Sequence, residues 1–201
     1  MKIAILGLGS SLSEFKAEDF DLSIGVNDIW RAVKSDVVVC INPVSDFTRE
    51  RYKIIDECKP QAFYSQIVNY DKRPDFVKID IISGYGADRY VNLDLPGYYK
   101  SYCSPFVACQ IGYKVYHAEE LHIFGVDLTN HPVLHGELCN TIRTHFVNLK
   151  AALTAKGCQM IIHGKGILKN IWYFACLFKR LYIFVSANTQ NGTIHKNSKP
   201  E

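Results

Sequence analysis

The chain has 201 residues, of which 48% are hydrophobic and 21% charged, and 23 basic side chains stand against 20 acidic ones for a net charge of +3. That length suits one domain with a sizeable core, and the composition excludes a disordered or fibrous chain. The charge is too small and too evenly spread to make nucleic acid an expected partner.

The predicted elements begin at once. Lys2 to Leu6 is a short apolar run of the kind a buried parallel strand shows, and Met1 leads into it without a basic-then-apolar leader. Gly7-Leu8-Gly9-Ser10-Ser11 follows as a glycine-rich turn, where backbone N–H groups and two hydroxyls can face an anion. Leu12 to Asp19 suits a short helical segment, and Leu22 to Val26 a second strand ending at Asn27-Asp28. Asp36 to Ile41 is the strongest strand pattern in the chain and closes at Asn42-Pro43, since proline cannot continue a central strand. Phe47 to Cys58 has helical spacing and Ala62 to Val68 reads as a fourth strand.

From Asn69 to Tyr102 glycine, proline, tyrosine and polar residues mix without a clear period, giving one expected strand, Ile79 to Ser83, within an irregular lid region. Order returns at Ser104-Pro105, a good helix start, with a helix over Phe106 to Gly112 and a strand over Glu119 to Phe124 that ends in Gly125-Val-Asp127. Apolar residues at 142, 146, 149 and 153 predict a helix over Thr141 to Lys156, stopped by Gly157, before a last strand from Cys158 to Ile162. Strands alternating with helices predict an α/β fold with a single doubly wound, mainly parallel, Rossmann-like sheet. The expected division is a nucleotide-binding domain over 1–166, an apolar and basic segment over 167–188, and a disordered tail over 189–201. Lys179-Arg180 stops the apolar stretch from Ile171 before bilayer length, leaving at most peripheral membrane contact through this segment. Seven cysteines stand singly with no CxxC pair, which fits reduced thiols in a cytoplasmic protein and gives no expected metal site.

Ligands of open α/β sheets sit outside the carboxyl ends of the strands. The residues predicted there are Gly7, Gly9, Ser10, Ser11, Asn27, Asn42, Gly125 and Asp127, with Ser104 at the start of the later helix. Asparagine also serves turns well, so Asn27 and Asn42 fit a purely local role equally.

The succession of GxGxSL after the first strand, Asn after the second, Asn-Pro after the third, then Ser-Pro, a helix, Gly-Tyr-Lys, a strand and Gly-Val-Asp resembles the bacterial lipooligosaccharide sialyltransferases. It is also similar to the archaeal-type hydroxymethylpterin diphosphokinases. The resemblance spans roughly residues 2 to 166. It implies a nucleotide-sugar-dependent glycosyltransferase whose donor, CMP-linked in the sialyltransferases, is held by Gly9, Ser10, Asn27, Asn42 and Ser104, with Gly125 and Asp127 matching the Gly-x-Asp. No tightly bound cofactor is implied, and the partners would be a nucleotide donor and a glycan-type acceptor. The family's general base is a histidine after the Gly-x-Asp; here that segment offers His131, His135 and His145. His145 falls on the predicted helix beside Phe146 and reads as a surface or core histidine. His131 and His135 flank Pro132 in a loop, and His135, next to Gly136, is the preferred base. Arg89, Tyr98, Tyr99 and Lys100 of the lid can meet a departing phosphate.

Three other readings compete. A diphosphokinase-like phosphoryl transfer would hold a metal on carboxylates such as Asp28 and Asp127. A plain dinucleotide site would use Asp28 on a ribose, but Leu12 stands where its fingerprint needs a third small residue. The last is a non-catalytic, for instance viral, protein that keeps the fold.

Overall fold

The computed structural model describes residues 1–67, 70–82, 90–128 and 136–169. It has a seven-stranded sheet in which every pairing is parallel. The strands are β1 (Lys2–Leu6), β2 (Leu22–Val26), β3 (Val37–Val39), β4 (Ala62–Ser65), β5 (Phe76–Lys78), β8 (Glu120–Phe124) and β9 (Gln159–Ile162). Between them come α1 (Arg49–Glu57), α2 (Ser104–Lys114), α3 (Glu137–Ala155) and a separate two-stranded ribbon of β6 (Ile81–Ile82) and β7 (Tyr98–Tyr99). This is the α/β, Rossmann-like arrangement that the alternation of patterns predicts.

Both faces of the central strands are buried, so the strands read as continuous apolar runs whose side chains alternate between two cores. In β1, Ile3 and Ile5 join the core under α2 and α3, while Ala4 and Leu6 join the opposite one. β3 divides the same way, with Val37 and Val39 on one face and Val38 on the other. The second core is aromatic, with Phe63, Tyr70 and Phe124 buried and Phe15, Phe20 and Phe47 packed against them.

The strand order is β5-β4-β3-β2-β1-β8-β9. The chain therefore builds outward from β1 to β5, then returns to lay β8 on the other side of β1. That reversal opens the switch-point crevice at the carboxyl ends of β1 and β8.

Several boundaries differ from the sequence expectation. The segment after the first turn makes two 3-10 pieces, Ser10–Glu14 and Ala17–Asp19, not one helical stretch. β5 carries no period that marks it in sequence, and its residues run from half-buried to exposed as an edge strand's do. The expected strand over Ile79 to Ser83 is the short β6, paired to β7 outside the main sheet. Gln110, buried in the middle of α2, ties that ribbon down by accepting from Tyr99 N (2.8 Å) and donating to Tyr99 O (2.9 Å). α3 starts four residues earlier than its apolar spacing suggests, at Glu137. Among the described residues no helix is long and apolar enough to cross a membrane. The apolar and basic segment, from residue 170 onward, and the tail lie outside the described residues.

Candidate functional site

The carboxyl edge of the sheet holds two side-chain groups. The first is at the β1/β8 switch point. Gly7 and Gly9 follow β1, Gly125 and Asp127 follow β8, and Gly164 and Gly166 follow β9. These three segments interlock so tightly that their glycines are explained by one another. A β-carbon on Gly9 would stand 2.6 Å from Asp127 Oδ2, and one on Gly7, Gly125, Gly164 or Gly166 would collide with a facing segment. Gly9 N donates to Gly125 O at 2.8 Å across this contact.

The two hydroxyls of the turn are also engaged. Asp127 Oδ2 accepts from Ser10 Oγ (2.9 Å) and Ser11 N (3.1 Å), and Oδ1 accepts from Ser11 Oγ (2.6 Å). Ser11 Oγ in turn accepts from Gly125 N at 2.8 Å. The anion cradled by this glycine–serine turn is thus the protein's own carboxylate. Burial pushes the Asp127 carboxyl up, but the bonds from Ser11 and Ser10 outweigh it and hold it below the ordinary carboxylate range.

The second group lies at the ends of β2 and β3. Asn27 leaves β2 with φ +53°, a left-handed conformation that asparagine tolerates better than most residues, and Asn42 leaves β3 before Pro43. Ser104, at the first position of α2 and 2% exposed, places its Oγ 3.1 Å from Asn27 Oδ1 and 3.1 Å from Asn42 Oδ1. A hydroxyl carries one proton, so it donates to one amide oxygen at a time. Three residues far apart in sequence thereby meet at one point over the N-terminus of α2. No side chain caps that terminus; Pro105 has no N–H and Phe106 N donates to Cys103 O at 3.3 Å, which leaves the Ser104 N–H to face a ligand there. Asn42 Nδ2 also donates to Asp46 Oδ2 at 3.1 Å.

Next to this group Asp28 is wholly buried. Arg51 binds it in a fork, Nε to Oδ2 at 3.0 Å and Nη2 to Oδ1 at 2.7 Å, and Arg31 Nε lies 3.5 Å from Oδ2. Burial raises the Asp28 carboxyl and the Arg51 bonds lower it further, leaving it below its ordinary value. Two guanidiniums meet one carboxylate here, and Asp46, bonded to Asn42, brings a second negative charge to the same strand end. The sequence reading missed both arginines. The signal for Arg51 was present: Thr48 caps α1 by accepting from Arg51 N at 3.4 Å, which places Arg51 in the first turn, at the sheet's carboxyl edge.

The proposed base residues His131 and His135, and Arg89 of the lid, lie outside the described residues. His145 is buried on α3, with Nδ1 2.9 Å from Ser101 Oγ and its ring packed between Tyr102 and Phe106. Of the surface and core roles that its helical position allows, the structure gives it the core one. Cys103, beside Ser104, has its thiol pushed up to about 12 by burial, so it is a thiol and not a nucleophile at neutral pH. Among the described residues no group of three or more His, Cys, Asp or Glu side chains is placed to hold a metal ion. A groove of about 900 Å³ beside the end of α1, lined by Lys59, Tyr70, Arg73 and Asp75 among others, shares no residue with either strand-end group. Compared with protein-family models, curated proteins and solved structures, the chain matches none.

Proposed function

We propose that the protein is a nucleotide-sugar-dependent glycosyltransferase of the sialyltransferase-like kind, binding its donor at the carboxyl ends of β2 and β3. The observation that carries this reading is the convergence of Asn27, Asn42 and Ser104. Their amides and hydroxyl offer donors and acceptors together, which suits ribose hydroxyls and the polar edge of a base. The dipole at the N-terminus of α2 favours the phosphate. In the transfer step the bond from the donor's anomeric carbon to the phosphate oxygen breaks, and the acceptor hydroxyl oxygen forms the new bond to that carbon. The hydroxyl's proton passes to a histidine, for which His135 is the first choice and His131 the second. The nucleotide departs with the electron pair.

The diphosphokinase alternative draws less support from this geometry. The carboxylates it calls on are taken, Asp28 by two arginines and Asp127 by Ser10 and Ser11.

A thermal-shift panel of cytidine, uridine, guanosine and adenosine monophosphates tests the reading. A nucleotide at 100 times its dissociation constant stabilises by about 2.7 kcal/mol. Ser104→Ala, Asn42→Ala and Asn27→Gly, the last chosen because glycine keeps the left-handed backbone, each remove one buried bond worth roughly 1–3 kcal/mol. The expected result is a Kd raised about 5-fold to 150-fold in each variant. Absence of any nucleotide response in the wild type, or unchanged affinity in all three variants, contradicts the reading. Tight binding with no donor hydrolysis or transfer supports the non-catalytic alternative.

A further inference from the structure

On the aromatic face of the sheet, beyond the nucleotide residues, four ionisable side chains form a line. His122 points from β8 and is 8% exposed; its Nε2 lies 3.0 Å from Glu120 Oε2. Its Nδ1 lies 3.0 Å from Nε2 of His163, which directly follows β9. His163 Nδ1 is 3.9 Å from Glu14 Oε2, at the end of the 3-10 helix Ser10–Glu14. Rings hold the line in place: His163 stacks on Phe124 at 3.9 Å and 14°, and His122 meets the edge of Phe20 at 5.1 Å.

The proton count follows from this geometry. Glu120 accepts, so His122 carries its hydrogen on Nε2 and offers the lone pair of Nδ1 to His163 Nε2–H. One added proton has a place, on His163 Nδ1 facing Glu14, and leaves the bond between the imidazoles intact. A second added proton has none. It would have to occupy His122 Nδ1, setting two N–H groups against each other 3.0 Å apart.

Around the line stand Glu120 on the same strand, Glu14 on the 3-10 helix and Lys2 on β1. The Met1 ammonium acts with Lys2 on Glu120. Burial first, then His122 and Lys2, lower the affinity of His163 for a proton, and Glu14 opposes them. What the line fastens is informative. Ser10–Glu14 carries the two hydroxyls that hold Asp127, and Gly164, one residue after His163, packs so closely that a β-carbon there would stand 2.8 Å from both Ser11 Oγ and Asp127 Oδ1.

We propose that Glu120, His122, His163 and Glu14 form an acid-sensitive latch that fastens the end of β9, and with it the 3-10 helix after β1, to β8, and that parts between His122 and His163 when the histidine pair takes up its second proton. Opening loosens the Ser10–Ser11–Asp127 contact and with it the switch point of the sheet. The latch does not depend on nucleotide binding.

The test is amide hydrogen exchange of the full chain at pH 7.5 and pH 4.5, corrected for the intrinsic effect of pH on exchange. The amides of residues 10–15 and of residues 163 and 167, whose bonds run to Ile123 O and Asp127 O, are expected to exchange at least tenfold faster at the lower pH in the wild type, and equally at both in His163→Phe, which keeps the stack on Phe124 but cannot titrate. Flat exchange in the wild type, or the same acceleration in the variant, overturns the latch. Should the variant fail to fold, the imidazole nitrogen resonances of the wild type decide. Two coupled titration steps, the second displaced well below the first, support the latch. Two independent curves overturn it.

Discussion

Gly125→Ala is expected to destabilise the protein by about 4 kcal/mol. Gly125 has φ +65°, which costs an alanine roughly 1–2 kcal/mol, and the added methyl collides with the Gly7 carbonyl. Forced overpacking of this kind costs a further ~1–3 kcal/mol. The two β-strand ends cannot separate freely, because Gly9 N–H bonds the Gly125 carbonyl at 2.8 Å. Gly157→Ala is the control. Gly157, just past α3, has φ +79° with nothing within 4 Å of the added carbon, so only the backbone term of roughly 1–2 kcal/mol applies. Urea unfolding of the two variants separates strain from contact. Equal losses would mean that the strand ends are not interlocked as described.

The second large effect belongs to Asp127. Its carboxylate accepts from Ser10 Oγ, Ser11 Oγ and Ser11 N, and hydrogen bonds to a charged group contribute about 1.5–3 kcal/mol each before the cost of desolvation. Asp127→Ala is expected to cost about 3–4 kcal/mol at pH 7. Asp127→Asn is expected to cost roughly 2 kcal/mol, because one side of an amide donates where the serine groups need an acceptor. The pH dependence has a definite sign. The folded carboxyl sits below its ordinary value, so its contribution is complete above pH ~3.9 and is lost as the pH falls through the lower folded value. The gap between wild type and Asp127→Asn should therefore be full at pH 7 and close progressively below pH ~4. A gap that stays constant down to pH 2 would show that the serines hold Asp127 by shape and not by charge.

The sheet was legible because burial on both faces writes itself into the chain as continuous apolar runs at 3–6 and 37–41. The candidate residues were legible because strands end where glycine, asparagine and serine cluster. What pattern could not give was which of them meet. The glycine–serine turn reads as an open phosphate loop. Only the fold shows Asp127 seated in it and the glycines after β8 and β9 packed against it. Gly9→Val, the natural sequence-level test of close ligand approach, is therefore expected to disturb folding, since the new side chain meets Asp127 and Gly125 of the chain itself. Conversely, Asn27 and Asn42 suited ordinary turns as well as a site, and their shared contact with Ser104 is what sets them apart. β5 escaped notice because an edge strand with exposed positions has no two-fold period to detect.

The central claim is that a nucleotide sits where Asn27, Asn42 and Ser104 converge. Backbone amide resonances of labelled protein titrated with cytidine monophosphate test it most directly. The predicted result is saturable shifts at residues 27–28, 41–42 and 103–106, with Ser104→Ala requiring at least fivefold more nucleotide for the same effect. Shifts confined to the groove around Arg73, or none at all with any of the four nucleoside monophosphates, would contradict it.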